Sequence, residues 1–342
     1  MCLVALALDQ SRRFPFVVAA NRDEFFNRPA ARLGWWEPQA GEAPILGGRD
    51  LHAGGTWLGL TALGRLGLVT NVRNPAATNA QAPSRGDIVP RWLKGDLPMH
   101  RLWPQLALNG YNGFNLLALD FAQGDCYWVN NNQSMPVRLE KGIFGVSNAE
   151  LDTPWPKLVQ LKAEVKTALN EFDEAEALAM SLFEALADAR TYPDEDLPQT
   201  GVPLEWERML SSAFIRSADG SYGTRCSTVI ITERVNKRLV THVFERTFAA
   251  QSNLALLRKL TLKNWPPRHT SGAEELAKLN ATLPPAHLHS GSVASGQLAS
   301  GEDRFESSDV SEHENHDLPE GAVQRRHRAR NLIKLSGSRA MA

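Results

Sequence analysis

The residues best suited to catalysis are a cysteine at the start of the chain and a cluster of polar residues that follows it. Cys2 precedes an apolar run, Leu3–Leu8, and a second apolar run, Phe14–Ala20, leads into Asn21-Arg-Asp-Glu24. Two short apolar runs separated by a polar break are typical of a β-hairpin. An antiparallel register closed across the break places Cys2 opposite Asn21. The hairpin is therefore predicted to bring the thiol beside an amide, a guanidinium and carboxylates.

A cysteine in this position has the groups needed for acyl transfer. A small second residue permits removal of the initiator methionine, and we assume this processing, which gives Cys2 a free α-amine. Unperturbed pKa values are about 8.5 for a thiol and about 7.7–8.0 for an α-amine, so the amine can accept the thiol proton near neutral pH. One residue then supplies nucleophile and base, as in N-terminal-nucleophile amidases. The alternative interpretation of Cys2 is a small buried core residue.

Such a site also needs an anion to hold the amine, donors for the tetrahedral oxyanion, and a cation that lowers the thiol pKa. Asp23, in preference to Glu24, is the candidate partner of the amine. Asn71 and Asn148 each end a predicted strand and carry N–H donors suited to an oxyanion. Arg225 precedes a predicted strand and is a candidate for orienting the nucleophile or binding a substrate carboxylate.

Each of these residues also has a purely structural interpretation. The carboxylates can pair with neighbouring arginines, and asparagines at strand ends commonly cap turns. Arg225 can form a surface ion pair, which is worth less than about 1 kcal/mol. Considered singly, the structural interpretation is favoured for every candidate except Cys2 and Asp23.

Composition restricts the class of protein. The chain has 342 residues, enough for one large domain or two average ones, and its net charge of −1 gives no overall field toward nucleic acid. No run approaches the roughly 18 apolar residues that span a bilayer, and Leu3–Leu8 lacks the features of a signal peptide. Cys2, Cys126 and Cys226 have no tight spacing, which predicts neither a disulfide framework nor a metal site. We expect a cytoplasmic protein without a cofactor.

The predicted elements follow one another as strands, helices and strands. Asn27–Pro44 is predicted to be a surface loop, whereas periodicity predicts hairpins and two helices. These are strands at Thr56–Thr61, Leu66–Asn71, Leu116–Phe121, Cys126–Asn130, Thr228–Thr232 and Arg238–Phe248, and helices at Trp155–Leu169 and Phe172–Ala189. This order predicts an α+β fold with antiparallel sheets. Residues 251–342 become rich in Ser, Gly, His and charge, and are predicted to form a disordered low-complexity tail.

Several short motifs occur in order along the chain. They are Met1-Cys2, Ala-Asn21-Arg-Asp-Glu24-Phe, Gly-Gly-Thr56-Trp-Leu-Gly59, Thr70-Asn71, Ser84-Arg-Gly-Asp87, Tyr111-Asn-Gly-Phe-Asn115, Gly145-Val-Ser-Asn-Ala149, Leu151-Asp-Thr-Pro-Trp155 and Tyr222-Gly-Thr-Arg225. Together they resemble the NRDE family, that of the Transport and Golgi organization 2 proteins. The resemblance covers roughly Met1 to Phe248.

For residues 1–250, the resemblance implies a four-layer αββα sandwich of the N-terminal-nucleophile hydrolase type. More distantly, the layout resembles the cysteine-dependent conjugated-bile-salt hydrolases and penicillin V acylases. Those enzymes use an N-terminal Cys, an Asp after the first hairpin, two Asn and a late Arg. The matching positions here are Cys2, Asp23, Asn71, Asn148 and Arg225.

Substrate-binding residues are less directly matched by that resemblance. The distant relatives place a further arginine before the aspartate motif. Here Ala20 precedes Asn21, and Arg22 lies inside the motif. Arg22 is therefore a substitute for that arginine, and with Trp57 it is the predicted substrate-binding pair.

Two functions are consistent with the sequence. The first is an amidohydrolase that cleaves a non-peptide C–N bond of a small molecule through a Cys2 thioester. The alternative is a non-enzymatic protein that binds or transfers haem or another hydrophobic ligand, since the eukaryotic family members are linked to Golgi organisation, secretion and haem movement. Neither function predicts a nucleic-acid partner.

Overall fold

The computed structural model describes residues 2–250 and 255–267, which form strands and helices of moderate length. The strands are β1 (Cys2–Leu8), β2 (Phe16–Phe25), β3 (Ala30–Trp36), β4 (Ile45–Asp50), β5 (Leu58–Thr61), β6 (Arg65–Asn71), β7 (Phe114–Asp120), β8 (Asp125–Asn130), β9 (Val137–Arg138), β10 (Gly142–Val146), β11 (Tyr222–Val235), β12 (Arg238–Phe248) and β13 (Ala255–Lys263). The α-helices are α1 (Ile88–Leu93), α2 (Met99–Ala107), α3 (Pro156–Glu171), α4 (Ala175–Leu186) and α5 (Leu204–Leu210).

The strands form two antiparallel sheets. One has six strands in the order β10-β1-β2-β11-β12-β13, and the other has seven in the order β3-β4-β5-β6-β7-β8-β9. Successive side chains of a strand point to opposite faces. In β1, Val4 and Leu6 therefore pack toward the seven-stranded sheet, while Leu3 and Ala5 pack against helices. The continuous apolar run of β1 thus reflects burial on both faces.

Helices cover the outer face of each sheet. Apolar residues of α3 and α4, such as Leu161 and Leu182, pack on the six-stranded sheet. Trp92 of α1 and Leu102 of α2 pack on the outer face of the seven-stranded sheet. Together with the core between the sheets, this gives four layers. The predicted α+β fold with αββα layers and antiparallel sheets is confirmed.

The first hairpin differs from its predicted register by one residue. Cys2 pairs with Arg22, and Leu3 pairs with Asn21. The turn is longer than predicted, because Leu8 pairs with Phe16 and the Asp9 N–H donates to the Pro15 carbonyl at 2.7 Å. A shift of one residue exchanges the two faces of a strand. Cys2 and Arg22 therefore share the face between the sheets.

Asn21 and Asp23, the neighbours of Arg22 in β2, point to the opposite face, toward the helical layer. Asn21 Nδ2 donates to the carbonyls of Leu186 and Ala213 at 2.8 and 2.9 Å, and its Oδ1 accepts from Ser227 Oγ at 2.6 Å. Every polar atom of this buried amide thus has a protein partner. Asn21 is a structural residue that ties β2 to the loops around α4 and to β11.

Two predicted segment assignments are corrected by the structure. Asn27–Pro44 is not a loop throughout, because it contains β3, an edge strand in which Leu33 is buried and Trp35 is exposed. β13 pairs with β12 beyond residue 250, so the predicted tail begins too early. Alternation within β13 escaped detection because most of its side chains are exposed. The rest of the predicted tail, residues 268–342, lies outside the described residues.

No helix in the described part of the chain combines the length and the apolar character that a membrane span requires.

A buried ion pair fixes α5 to the segment after β6. Arg73 Nη1 and Glu207 Oε2 are 2.5 Å apart, and both side chains are 4% exposed. Glu207 Oε1 also accepts from the N–H and the hydroxyl of Thr200 at 2.9 and 2.6 Å. Removing one partner of a buried pair leaves an uncompensated charge.

We therefore expect Glu207→Gln to lower the free energy of unfolding by about 3–5 kcal/mol, because it leaves the Arg73 guanidinium buried without its anion. Chemical denaturation monitored by tryptophan fluorescence measures this change. The neighbouring Arg208→Gln is the matched control, since it removes only the exposed contact of Arg208 with Asp194. Equal midpoints for the two variants would contradict a structural role of the buried pair.

Candidate active site

The predicted site residues cluster where β1 begins and where β2, β6 and β10 end. A cavity of about 700 Å³ opens between the two sheets at this point. Its lining includes Cys2, Arg22, Trp57, Asn71, Arg85 and Trp206. Both sheets thus contribute side chains to one cavity.

Cys2 lies at the inner wall of this cavity. Its side chain is largely buried, and burial raises the pKa of the thiol. The Asp23 carboxylate raises this pKa further, whereas the Arg22 guanidinium and a hydrogen bond from the Asp23 backbone N–H lower it. The thiol is therefore protonated at rest and needs an adjacent base to become a nucleophile. Ser147 Oγ donates to the Cys2 carbonyl at 3.1 Å and fixes its backbone.

Asp23 follows Arg22, the strand partner of Cys2, and its side chain is only 1% exposed. Thr224 Oγ1 donates to its Oδ1 at 2.7 Å. Burial raises the pKa of this carboxyl, and the Lys157 ammonium and the Thr224 hydrogen bond lower it. The carboxylate therefore sits in a buried polar layer beneath the start of β1.

Lys157 is a member of this layer that sequence reasoning missed. Its side chain is 3% exposed, and its Nζ donates to the Leu210 carbonyl at 2.6 Å. Burial lowers its pKa to about 8, and the Asp23 carboxylate opposes that shift. The helical spacing of the sequence could have indicated that Lys157 is buried, because it lies one turn before Leu161 on the buried face of α3.

The two predicted oxyanion asparagines have different positions. Asn71 lines the cavity, whereas Asn148 is 1% exposed and does not line it. Asn148 Nδ2 donates to Asn71 Oδ1 at 3.0 Å and to the Asn71 carbonyl at 3.1 Å. With Oδ1 engaged as an acceptor, the Nδ2 donor of Asn71 is left for a ligand. Asn148 holds Asn71 in place and does not itself reach the cavity.

Arg22 and Trp57, the predicted substrate-binding pair, are stacked on the cavity wall. The guanidinium carbon of Arg22 lies 4.3 Å from the centroid of the Trp57 ring, which is cation–π geometry. Arg22 Nη2 is 3.8 Å from Asp50 Oδ2. Among the described residues, Arg22 Nη1 has no hydrogen-bond partner although it is buried. Arg22 therefore retains donor capacity beside the thiol.

Arg225, predicted to orient the nucleophile or to bind a substrate carboxylate, does not line the cavity. It is the extra residue of a β-bulge where the pairing of β11 with β2 shifts between Thr224 and Cys226. Its Nη1 donates to the carbonyls of Phe25 and Arg28 at 2.7 and 2.8 Å. A bulge re-aims the side chain at its position, and here it directs the guanidinium onto the backbone after β2. Arg225 stabilises the loop that follows the site.

A buried hydrogen-bond network connects the site to the seven-stranded sheet. Asn115 Nδ2 donates to Thr70 Oγ1 at 3.1 Å, and Asn115 Oδ1 accepts from Trp128 Nε1 and Asn130 Nδ2 at 3.0 and 2.9 Å. Thr70 Oγ1 donates in turn to the Ser147 carbonyl at 2.8 Å. The sequence marked Asn115 as part of a motif but assigned it no role. It braces the strand that presents Asn71.

Within the described part of the chain, no group of three or more His, Cys, Asp or Glu side chains is placed to hold a metal ion.

Comparison with known proteins identifies the family. The family model for Transport and Golgi organisation 2 matches residues 1–250. The chain belongs to the Transport and Golgi organisation 2 family. The bovine Transport and Golgi organization protein 2 homolog is 34% identical over 253 residues, covering 68% of this chain and 89% of that protein. The mouse homolog is 32% identical over 252 residues, with the same two shares.

A more distant member of the Transport and Golgi organisation 2 family is the Drosophila melanogaster protein, 25% identical over 269 residues, which cover 72% of this chain and 92% of that protein. Among solved structures, a variant of conjugated bile acid hydrolase from Clostridium perfringens aligns with 79% of this chain and 99% of its own, at 9% identity and a TM-score of 0.40. The four layers follow from the two sheets of this chain and the cores on their faces.

Proposed function

We propose that this protein is an N-terminal-cysteine amidohydrolase that cleaves a C–N bond of a small-molecule amide through a thioester on Cys2. The observation that carries the proposal is the convergence of Cys2 and Asn71, from different sheets, on one cavity. A nucleophile and an oxyanion donor facing the same space are the minimum for acyl transfer. Asp23, buried beside the first residue of β1, supplies the anion that holds the α-amine of Cys2.

The proposed reaction begins with removal of Met1, which gives Cys2 a free α-amine. Asp23 accepts hydrogen bonds from this amine and keeps it beside Sγ. The neutral amine takes the thiol proton, and Sγ attacks the carbonyl carbon of the amide. The ammonium then returns the proton to the leaving nitrogen as the C–N bond breaks, which leaves a thioester. Water, deprotonated by the same amine, hydrolyses the thioester and regenerates the thiol.

The remaining residues stabilise charge or hold the substrate in this proposal. Asn71 Nδ2 donates to the oxyanion, and Asn148 positions Asn71. The Arg22 guanidinium and the Asp23 backbone N–H stabilise the thiolate, which opposes part of the rise that burial causes in the thiol pKa. Trp57 forms the wall against which the substrate packs. Arg225 is assigned no direct part in this proposal, because it does not line the cavity and its Nη1 donates to two backbone carbonyls.

Intact-mass spectrometry of the purified protein tests the first step. We expect a mass lower than that of the full sequence by one methionine residue, because the small side chain of Cys2 permits cleavage. A Cys2→Leu variant is the control, since a bulky second residue should retain Met1. Retention of Met1 in the native chain would remove the free amine and contradict the mechanism.

A second candidate function is binding or transfer of haem or another hydrophobic ligand. Four aromatic side chains line the same cavity: Phe25, Trp57, Trp206 and Tyr222. His52 and Cys2 also line it and are residue types that ligate haem iron. Titration with haem tests this function. A Soret shift that is lost in His52→Ala or Cys2→Ala supports it, and an unchanged haem spectrum excludes haem as the ligand.

A further inference from the structure

A third cavity arginine, Arg85, has no role in the proposed chemistry. It lies in a short 3₁₀ turn, Arg85–Asp87, and lines the cavity together with Cys2 and Asn71. Its Nη1 donates to the Gly113 carbonyl at 3.0 Å, which fixes one nitrogen of the guanidinium. Within the described residues, the other two nitrogens of the group have no hydrogen-bond partner.

The turn that carries Arg85 is held rigidly against the loop before β5. Ser84 Oγ accepts from the Gly86 N–H at 3.2 Å, and the Gly86 carbonyl accepts from the Thr56 N–H at 3.0 Å. A Cβ atom on Gly55 would lie 2.2 Å from the Gly86 carbonyl oxygen, so only glycine permits this approach. The two motifs that contain these residues therefore form one platform, and the guanidinium is preorganised on it.

Arg85 differs in charge balance from the other arginines of the cavity. Arg28 Nε is 2.7 Å from Asp50 Oδ2, and Arg22 Nη2 is 3.8 Å from the same oxygen. Arg85 has no carboxylate within 4.0 Å among the described residues. Burial lowers the pKa of Arg85, and Cys2 and Glu24 oppose that shift, the Glu24 carboxylate from beyond 4.0 Å. A ligand anion would supply a direct partner.

We infer that Arg85 binds an anionic group of the substrate, so that the substrate class is amides carrying a carboxylate or phosphate away from the scissile bond. The inference rests on the proposed hydrolase function for its catalytic meaning, but the binding event does not require turnover. The planar guanidinium fork matches two oxygens of either anion. Because only Nη1 is held by the Gly113 carbonyl, the other guanidinium nitrogens of this cavity-lining residue can donate to an anion.

Three 4-nitroanilides of matched chain length serve as probes: glutaryl (a carboxylate), 4-phosphonobutanoyl (a phosphonate) and pentanoyl (neutral). Their dissociation constants are measured by calorimetry on the Cys2→Ala variant, which cannot turn them over. We expect an anionic probe to bind on the order of 10- to 100-fold more tightly than the neutral one. Arg85→Gln in the same background should remove that preference, and Arg85→Lys should restore only part of it.

Arg91→Gln is the matched control, because Arg91 lies on the following helix and does not line the cavity. It should leave all three dissociation constants unchanged. The carboxylate and phosphonate arms distinguish the two anions, since only the better match should show the full effect of Arg85→Gln. Equal affinity for all three probes, or no binding of any, would overturn the inference.

Release of 4-nitroaniline by the native protein separates this inference from the proposed function. Anion-dependent binding without any release would retain Arg85 as an anion site and contradict the hydrolase. Release at equal rates from neutral and anionic probes, unaffected by Arg85→Gln, would retain the hydrolase and contradict the role of Arg85. The two proposals therefore fail through different measurements.

Discussion

Replacement of Cys2 by alanine is expected to abolish amide hydrolysis, with kcat falling on the order of 10⁴- to 10⁶-fold for any substrate that the native protein turns over. Sγ is the atom that forms the thioester, and no other thiol lines the cavity among the described residues. A panel of acyl 4-nitroanilides, followed by release of 4-nitroaniline, measures the loss. The variant keeps a free α-amine, so the result isolates the nucleophile from the base.

Cys126→Ala is the matched control for this prediction. Cys126 lies in the core between the sheets, where burial raises its pKa to about 12, so it cannot act as a nucleophile. Its removal should leave kcat unchanged. Mass spectrometry of the protein quenched during turnover adds a direct readout, because the acyl group should be found on Cys2 alone. Hydrolysis that survives Cys2→Ala at the native rate would refute the thioester mechanism.

Replacement of Asn71 by alanine is expected to lower kcat about 10²- to 10³-fold, with a much smaller change in KM. The Nδ2 donor acts on charge that develops in the transition state, so its loss should affect the chemical step more than ground-state binding. The fold should persist, because the Asn71 carbonyl still accepts from Asn148 Nδ2. Steady-state kinetics on the same 4-nitroanilides measures the two constants separately.

Asn79→Ala provides the comparison for Asn71, since Asn79 also lines the cavity but its backbone and side chain are engaged with Asn112 and Gln81. It should leave kcat within a few-fold of the native value. Asn148→Ala is expected to lower kcat less than Asn71→Ala, because it acts only through the position of Asn71. Equal losses at both positions would instead assign a direct oxyanion contact to Asn148.

The apolar pattern of the sequence predicts the strands and helices well, because burial dictates that pattern, whereas the αββα order of the four layers is implied only by the family resemblance. The structure buries the continuous apolar runs of β1 and β2 and the helically spaced apolar residues of α3. These strands and this helix can therefore be predicted from the sequence. The register of the first hairpin cannot be predicted in this way, because the apolar pattern does not determine the length of the turn between Leu8 and Phe16. Pairing Cys2 with Arg22 is a result of that turn.

The site itself is only partly predictable for a related reason. Proximity along a hairpin identifies Asp23, but the roles of the late residues depend on contacts between distant segments. In the sequence, Asn71 and Asn148 are both asparagines at strand ends and cannot be told apart. Only in the folded protein does Asn148 donate to Asn71 Oδ1, which distinguishes their roles. A single bulged residue decides that Arg225 faces backbone carbonyls. The roles of Lys157 and Arg85 depend on their neighbours in the fold, which are Asp23 for Lys157 and the cavity for Arg85.

The opposite orientation of Arg22 and Asp23 on β2 has a consequence for how such a protein diversifies. The alternating strand assigns one residue to the wall that meets the ligand and the next to the buried layer that holds the base. Substitutions at Trp57, Arg85 or Trp206 can reshape what the cavity accepts without disturbing Asp23, Thr224 and Lys157. Substitutions that change which ligand binds can therefore leave Thr224 and Lys157, the buried neighbours of Asp23, unchanged.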